Sequence, residues 1–395
     1  MTEQAEKGLL PAGLGDVLAP SAAHEFRVIG QLLHHFQAQG YDQIKPPLLE
    51  FEEGLLSGTG AAVSSQTFRL MDPISHRMMG LRADMTPQIV RIAATRLEKS
   101  PRPLRLCYSG QVLQVRGSQL RPERQFAQVG AELIGASQAE ADVEVALLAA
   151  DSLRQLGIEG LSLDINMPPL VGGLTRDLGL DDGLAHDLRA ALDRKDAASV
   201  SELAGPHHQV FISLLQAAGP AEASLRAIQA LDLPPSATQA VARLADVVNL
   251  LKKQAPHLEL TLDPVEHRGF EYQTGTSFIL FAKGVRGELG RGGRYESRPV
   301  GQQSAGESAT GFSLFMDTVL RALGPATAPD RVYLPFGHDA ARAAALRGDG
   351  WVTVSALGDD SDATQEARRL GCSHILQDNQ AMPLTGDPSK EAKES

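Results

Sequence analysis

Cysteine is scarce in this chain: Cys107 and Cys372 are the only two among 395 residues. They lie far apart, and neither belongs to a CxxC or Cys/His spacing, which excludes a zinc ribbon or a disulfide framework. A reducing cytoplasm is the expected setting and no metal site is expected. Long apolar runs are also missing. No stretch approaches the roughly 18 residues of a membrane helix, and the opening "MTEQAEKGLLPAG" lacks the apolar core of a secretory signal. Positive charge is in deficit, with 37 Lys+Arg against 48 Asp+Glu and a net charge of −11. That disfavours a broad nucleic-acid-binding surface, which is normally basic. There is no GxGxxG at a strand-to-helix turn and no GxxxxGK(S/T). The glycine-rich "GELGRGGRYE" (287–296) lacks that context, so no cofactor is expected.

What is present describes a globular protein: 43% apolar and 22% charged residues, in a length sufficient for two or three domains. "SAAHEFRVIGQLLHHFQAQG" (21–40) has helical periodicity, with Phe26, Ile29, Leu32, Leu33 and Phe36 on one face. His34 and His35 on this helix are expected at its surface rather than as metal ligands. "YDQIKPPLLEFEE" reads as a short strand with a kink at Pro46 and Pro47. "QTFRLMD" and "HRMMGLRAD" read as a hairpin, and "TPQIVRIAATRLEK" as a helix capped by Thr86 with Pro87 at its first position. "RLCYSGQVLQV" and "RQFAQVGAELIG" look like paired strands. "SQAEADVEVALLAADSLRQLGI" reads as a helix with a serine cap, and "LSLDIN" as a strand. From about 168 to 256 nearly everything is helical. Strands resume with "LELTLDP", "EYQTGTSFILFAKG" and "VRGELGRGGRY", and "GFSLFMDTVLRAL" is expected to be the last helix before the linker "GPATAPD". The segment 331–385 alternates as a miniature βαβ-like unit, and 386–395 is expected to be disordered. The fold class is α+β: an antiparallel sheet flanked by helices over 1–325, a helical insert at about 168–256, and a small C-terminal α/β domain.

Residues 111–135 mix Arg116, Arg121, Arg124, Gln125, Gln128 and Glu132 with apolar Phe126, Val129 and Leu133, a composition suited to a small polar ligand. The spacing puts Gln128 and Glu132 on one face of a strand.

Five motifs then occur in order: "LRADMTPQIVR" (81–91), "YSGQVLQVRGSQLRPERQFAQVGAELIG" (108–135), "EHRGFEYQTGT" (266–276), "GGRYE" (292–296) and "ATGFSLFMD" (309–317). Together they resemble the catalytic core of the histidyl-tRNA synthetase family, class II enzymes. The resemblance spans about 10–325 and implies a class II aminoacyl-tRNA synthetase-like antiparallel sheet, dimerised through the first helix and "YDQIKPPLLE". It also implies a histidine pocket of Asp84, Thr86, Gln128, Glu132, Arg268 and Tyr272. The chemistry is consistent with that set: Asp84, Thr86 and Gln128 offer acceptors to an ammonium, Arg268 matches a carboxylate, and Glu132 accepts from an imidazole. Bland alternatives stand beside each assignment. Asp84 could help cap the helix at 87, Gln128 and Glu132 could face solvent, and Arg268 could pair with Glu271. The family's glutamate is shortened to Asp84, and a tyrosine expected after Tyr272 is Gln273.

The catalytic apparatus departs further. Displacing pyrophosphate from ATP builds charge on the phosphates, which needs fixed cations. Gapless alignment from Tyr108 to Glu132 puts Gln114 at the position of the family's first arginine and Arg116 at a glutamate. Where the family reads GFxxGxER, this chain has Asp317 and Thr318, so the second arginine is also replaced. Charge-assisted hydrogen bonds contribute roughly 1.5–3 kcal/mol each, so two losses cost a factor on the order of 10²–10⁴ in rate. The segment from 331 is acidic, 7 Lys+Arg against 10 Asp+Glu, where tRNA binding would need a basic one. The pattern resembles the regulatory branch of this family, the synthetase-like subunits of ATP phosphoribosyltransferase. That resemblance implies no catalysis by this chain and no tRNA binding. It implies partnership with a short-form catalytic subunit, a homodimer within a hetero-octamer, and histidine as the ligand.

Overall fold

The strand Gln125–Ile134 sorts its side chains with a period of two. Ala127, Val129, Ala131 and Leu133 enter one hydrophobic core, while Phe126 and Ile134 enter another on the opposite face. That alternation is the pleat of a sheet buried on both sides, and the rest of the chain is built around it. The computed structural model describes residues 9–117, 121–267, 272–297, 306–359 and 361–384, without the side chain of Thr59.

Among the described residues the main sheet has nine strands. Their order is Asp42–Gln43, Leu104–Leu113, Gln125–Ile134, Glu307–Phe315, Gly290–Ser297, Gln273–Ala282, Leu161–Asn166, Glu259–Asp263 and Gly219–Pro220. The six central strands, Leu104–Leu113 through Leu161–Asn166, run antiparallel to one another. Asp42–Gln43 and Glu259–Asp263 pair parallel to theirs. A second sheet of three antiparallel strands, Leu49–Phe51, Met78–Leu81 and Arg69–Met71, carries the expected hairpin. Pro46 and Pro47 lie between strands rather than inside one. Their carbonyls accept from the buried Arg82 (3.2 and 3.4 Å), and that of Pro47 also accepts from Gln88 (2.8 Å).

The helix Ala139–Gln155 covers one face of the sheet. Its N-cap is Gln138, which makes no side-chain capping bond, so the serine cap read from the sequence is not used. The stretch 168–254 folds as six α-helices with the two-residue strand Gly219–Pro220 between them. Leu188, Phe211, Leu214, Val241 and Leu244 of this stretch belong to the same core as the sheet. The insert therefore covers the sheet; it is not a free-standing arm.

The expected helix "GFSLFMDTVLRAL" begins later. Residues Glu307–Phe315 form a full strand, and only Met316–Leu323 is helical. The alternation of Phe312 and Leu314 with Gly311 and Ser313 is a strand period, and central pairing on both sides enforces it.

Among the described residues, 17–24 and those from 326 onward form a second compact unit. Its four-stranded sheet has the order Val352–Ser355, Arg331–Leu334, His374–Gln377 and Gln380–Pro383, the first three parallel and the last antiparallel. The helices Ala340–Gly348 and Ala363–Arg369 connect the parallel strands, as such crossovers require. The strand Gln380–Pro383 carries no alternation strong enough to have been read from sequence.

Candidate functional site

On the face of the sheet opposite Ala139–Gln155 lies a recess that opens to solvent. Asp84, Thr86, Gln128, Glu132, Tyr272 and Gln273 line it, together with Arg291, Tyr295, Gly311, Ser313 and Phe315. Five of the six sequence-assigned residues are thus brought together. Arg268 lies outside the described residues.

Glu132 is the floor, 1% exposed. Its Oε1 accepts from the Thr86 hydroxyl (3.0 Å) and the Tyr108 hydroxyl (3.1 Å), and its Oε2 from the Tyr295 hydroxyl (2.8 Å). Burial pushes its carboxyl up to about 8, against the lowering effect of those donors. Burial and the adjacent carboxylate also hold the Tyr108 and Tyr295 hydroxyls well above the ordinary tyrosine range. The space Glu132 occupies exists because its cross-strand partner is Gly311: a Cβ there would sit 1.7 Å from Glu132 Oε2. Gly130 serves Tyr108 in the same way, since a Cβ would lie 2.6 Å from that hydroxyl oxygen.

Gln128 is 2% exposed. Its Oε1 accepts from the Met85 backbone N–H (2.9 Å), and its amide donates to Asp84 Oδ1 (2.9 Å) and to Ser313. Neither Gln128 nor Glu132 is a solvent-facing strand residue. Thr86 is the first residue of the helix Thr86–Thr95 and does not cap it. Its N–H donates to Asp84 Oδ1 (3.0 Å), so Asp84 does the local work and the Thr86 hydroxyl is left for Glu132. Asp84 therefore both orders the helix start and faces the recess. Tyr272 packs edge-on against Tyr295, with ring centroids 5.9 Å apart. Gln273 Oε1 is buried and has no hydrogen-bond partner among the described residues.

The other polar residues of 111–135 go elsewhere. Arg116 and Gln125 are exposed. Arg124 donates to the carbonyls of Gln114 and Ala12 (3.2 Å each). Arg121 lies beside the recess, 3.8 Å from the Phe315 ring centroid and 4.8 Å from that of Phe126. Its guanidinium meets Asp317 (3.1 Å) and Glu288 (3.6 Å). Glu288 also pairs with Arg291 (2.6 Å). Thr318 is buried, and its hydroxyl accepts from Arg321 (3.0 Å), which lies 3.6 Å from Asp317. Gln114 makes backbone bonds to Arg124 (2.8 Å). Arg121 and Arg291 are thus matched to carboxylates, Arg321 to the Thr318 hydroxyl with Asp317 beside it, and Arg124, next to Gln114, to backbone carbonyls.

Sequence reasoning assigned no role to Tyr108, Tyr295, Gly311 or Ser313. Tyr295 stands in the quoted "GGRYE" and Gly311 in "ATGFS", but the register that carries them to Glu132 is not visible locally. Among the described residues, no cluster of three or more His, Cys, Asp or Glu could hold a metal ion. No described helix is long and apolar enough to cross a membrane.

A family model described as histidyl-tRNA synthetase matches residues 13–319. Sheet, recess and match together define a class II synthetase-like core. Over 367 residues, 93% of this chain and 94% of its relative, the sequence is 56% identical to an ATP phosphoribosyltransferase regulatory subunit of Rhodospirillum centenum. It is 53% identical over 376 residues to the protein of the same description in Paramagnetospirillum magneticum, covering 95% and 98% of the two chains. A crystal structure from Bacillus halodurans, described as an ATP phosphoribosyltransferase regulatory subunit/histidyl-tRNA synthetase, matches with a TM-score of 0.77 at 25% identity, covering 91% of this chain and 96% of that one. The chain belongs to the family of ATP phosphoribosyltransferase regulatory subunits.

Proposed function

We propose that this chain is a non-catalytic regulatory subunit of ATP phosphoribosyltransferase, acting at the first step of histidine biosynthesis in the cytoplasm. It binds free histidine in the recess floored by Glu132 and partners with a short-form catalytic subunit. Its own homodimer sits inside a hetero-octamer, and histidine occupancy shifts the activity of the assembly. Coupling of this kind is reciprocal, so the state of the catalytic subunit alters histidine affinity by the same factor.

One observation carries the reading: two carboxyl groups, Asp84 and Glu132, line a recess whose own Arg291 is engaged by Glu288, while Arg121 and Arg321 nearby are engaged by Glu288, Asp317 and Thr318. The recess suits a cationic amino acid, while the cations next to it are not arranged to receive a triphosphate. Asp84 and the Thr86 hydroxyl oxygen serve the ammonium, and Glu132 and Gln273 offer acceptors to imidazole N–H groups. Arg268 is the carboxylate partner that the resemblance assigns.

Two measurements test it. Calorimetric titration of the assembled complex with histidine should give saturable heat. Its absence at millimolar histidine would remove the ligand. Histidine-dependent ATP–pyrophosphate exchange by the purified chain should be undetectable, and a clear exchange signal would make the protein a synthetase instead.

A further inference from the structure

Behind the recess, on the opposite face of the sheet, three buried polar side chains converge. Thr276 lies where the register between Gln273–Ala282 and Gly290–Ser297 shifts, between Gln273 and Ser277. Thr310 lies on the strand Glu307–Phe315, and Asp142 in the first turn of Ala139–Gln155. Their exposures are 3%, 0% and 4%. Thr276 Oγ1, Thr310 Oγ1 and Asp142 Oδ1 have no hydrogen-bond partner among the described residues. Asp142 Oδ1 is 2.8 Å from Arg294 Nη2, within ion-pair reach but misaligned for a hydrogen bond. The other oxygen, Oδ2, accepts from Arg243 (2.9 Å) and Arg294 (3.2 Å).

The three residues wall one small cavity, whose other sides are apolar and include Leu163, Ile165, Val247 and Phe278. It leaves about 10 Å³ for the centre of a guest, which is the room one water molecule needs. Buried polar atoms are rarely left unpaired, because each loses its hydration without return. A cation is disfavoured, since two guanidiniums already outweigh the single carboxylate. An anion is disfavoured by that carboxylate itself.

We propose that this cavity binds one ordered water molecule, which donates to Asp142 Oδ1 and accepts from the hydroxyls of Thr276 and Thr310. The water ties the irregular strand to the helix behind it. That strand begins at Gln273, a wall of the ligand recess, so the water also fixes the recess from the rear.

The test uses the full chain and the variants Thr276→Val and Thr310→Val, which keep side-chain shape but remove the hydroxyl. High-resolution crystallography of the wild type should show a water within hydrogen-bond distance of all three atoms. Each valine variant should lower the unfolding midpoint by a few degrees, and Thr310→Ser, which keeps the hydroxyl, should retain the water if a valine variant fails to fold. No density in the cavity, or valine variants that match or exceed the wild-type midpoint, would overturn the proposal, because a dry cavity gains when an orphaned hydroxyl is removed.

Discussion

Replacing Glu132 by glutamine should flatten the pH dependence of stability. The carboxyl is 1% exposed and burial pushes it from 4.5 up to about 8 in the folded chain. An unfolded glutamate ionises near 4.5. Between those values the folded chain holds a proton that the unfolded chain has released. Stability is therefore greatest below about 4.5, falls as pH rises through the window, and levels off above about 8. The span of 8 − 4.5 = 3.5 pH units, at roughly 1.4 kcal/mol each, amounts to about 5 kcal/mol between the two ends. Glutamine preserves the shape and an acceptor for Thr86, Tyr108 or Tyr295, and it cannot ionise. Urea unfolding of both proteins from pH 5 to pH 9 provides the measurement. The expected result is a wild-type curve that falls more steeply than the Glu132→Gln curve up to about pH 8 and runs parallel to it above. Parallel curves throughout would refute the reasoning, since Glu132 would then ionise alike in both states. The same pair bears on the ligand. A protonated Glu132 must release its proton to face a cationic guest, so histidine binding at pH 7 should liberate protons in the wild type and fewer in Glu132→Gln. Calorimetry in two buffers of different ionisation enthalpy reads that difference.

Gly311→Ala should be severely destabilising, beyond the roughly 1–3 kcal/mol of ordinary overpacking, because the new Cβ would lie 1.7 Å from Glu132 Oε2 and 2.8 Å from the Ala131 carbonyl; thermal denaturation and soluble yield report it. Asp142→Ala should cost about 3–5 kcal/mol by leaving Arg294, itself 7% exposed, without its carboxylate, whereas Arg154→Ala on the exposed end of the same helix should be near neutral. The resemblance assigns the homodimer contact to the first helix and residues 41–50, and Phe26 on that helix is 80% exposed. If that assignment holds, Phe26→Asp shifts the chain to monomer in size-exclusion chromatography, and an unchanged elution volume would place the contact elsewhere.

Much of this architecture is local information. Helical periodicity over 21–38, 86–95, 139–155 and the insert reflects which neighbours share a helix face, and the six helices of 168–254 follow it. The period of two in Gln125–Ile134 placed Gln128 and Glu132 on one side of a strand before any pairing was known. The order of five motifs carried the family resemblance, and that same alignment sets Gln114 and Thr318 where the resemblance expects arginines. The sequence by itself thus determined the class of fold and the strand face of the recess.

Tertiary structure decided what that face meets. Glu132 is 24 residues from Tyr108 and 163 from Tyr295, and it touches both only because sheet register sets them beside it. The same registers turned "GFSLF" into a central strand, since two neighbours satisfying its backbone outweigh local helix preference. They drew Arg121 to Asp317, 196 residues away, and diverted the Thr86 hydroxyl from capping a helix to holding a carboxylate. Pairing across such separations depends on which strands lie side by side, and no window of neighbouring residues encodes it.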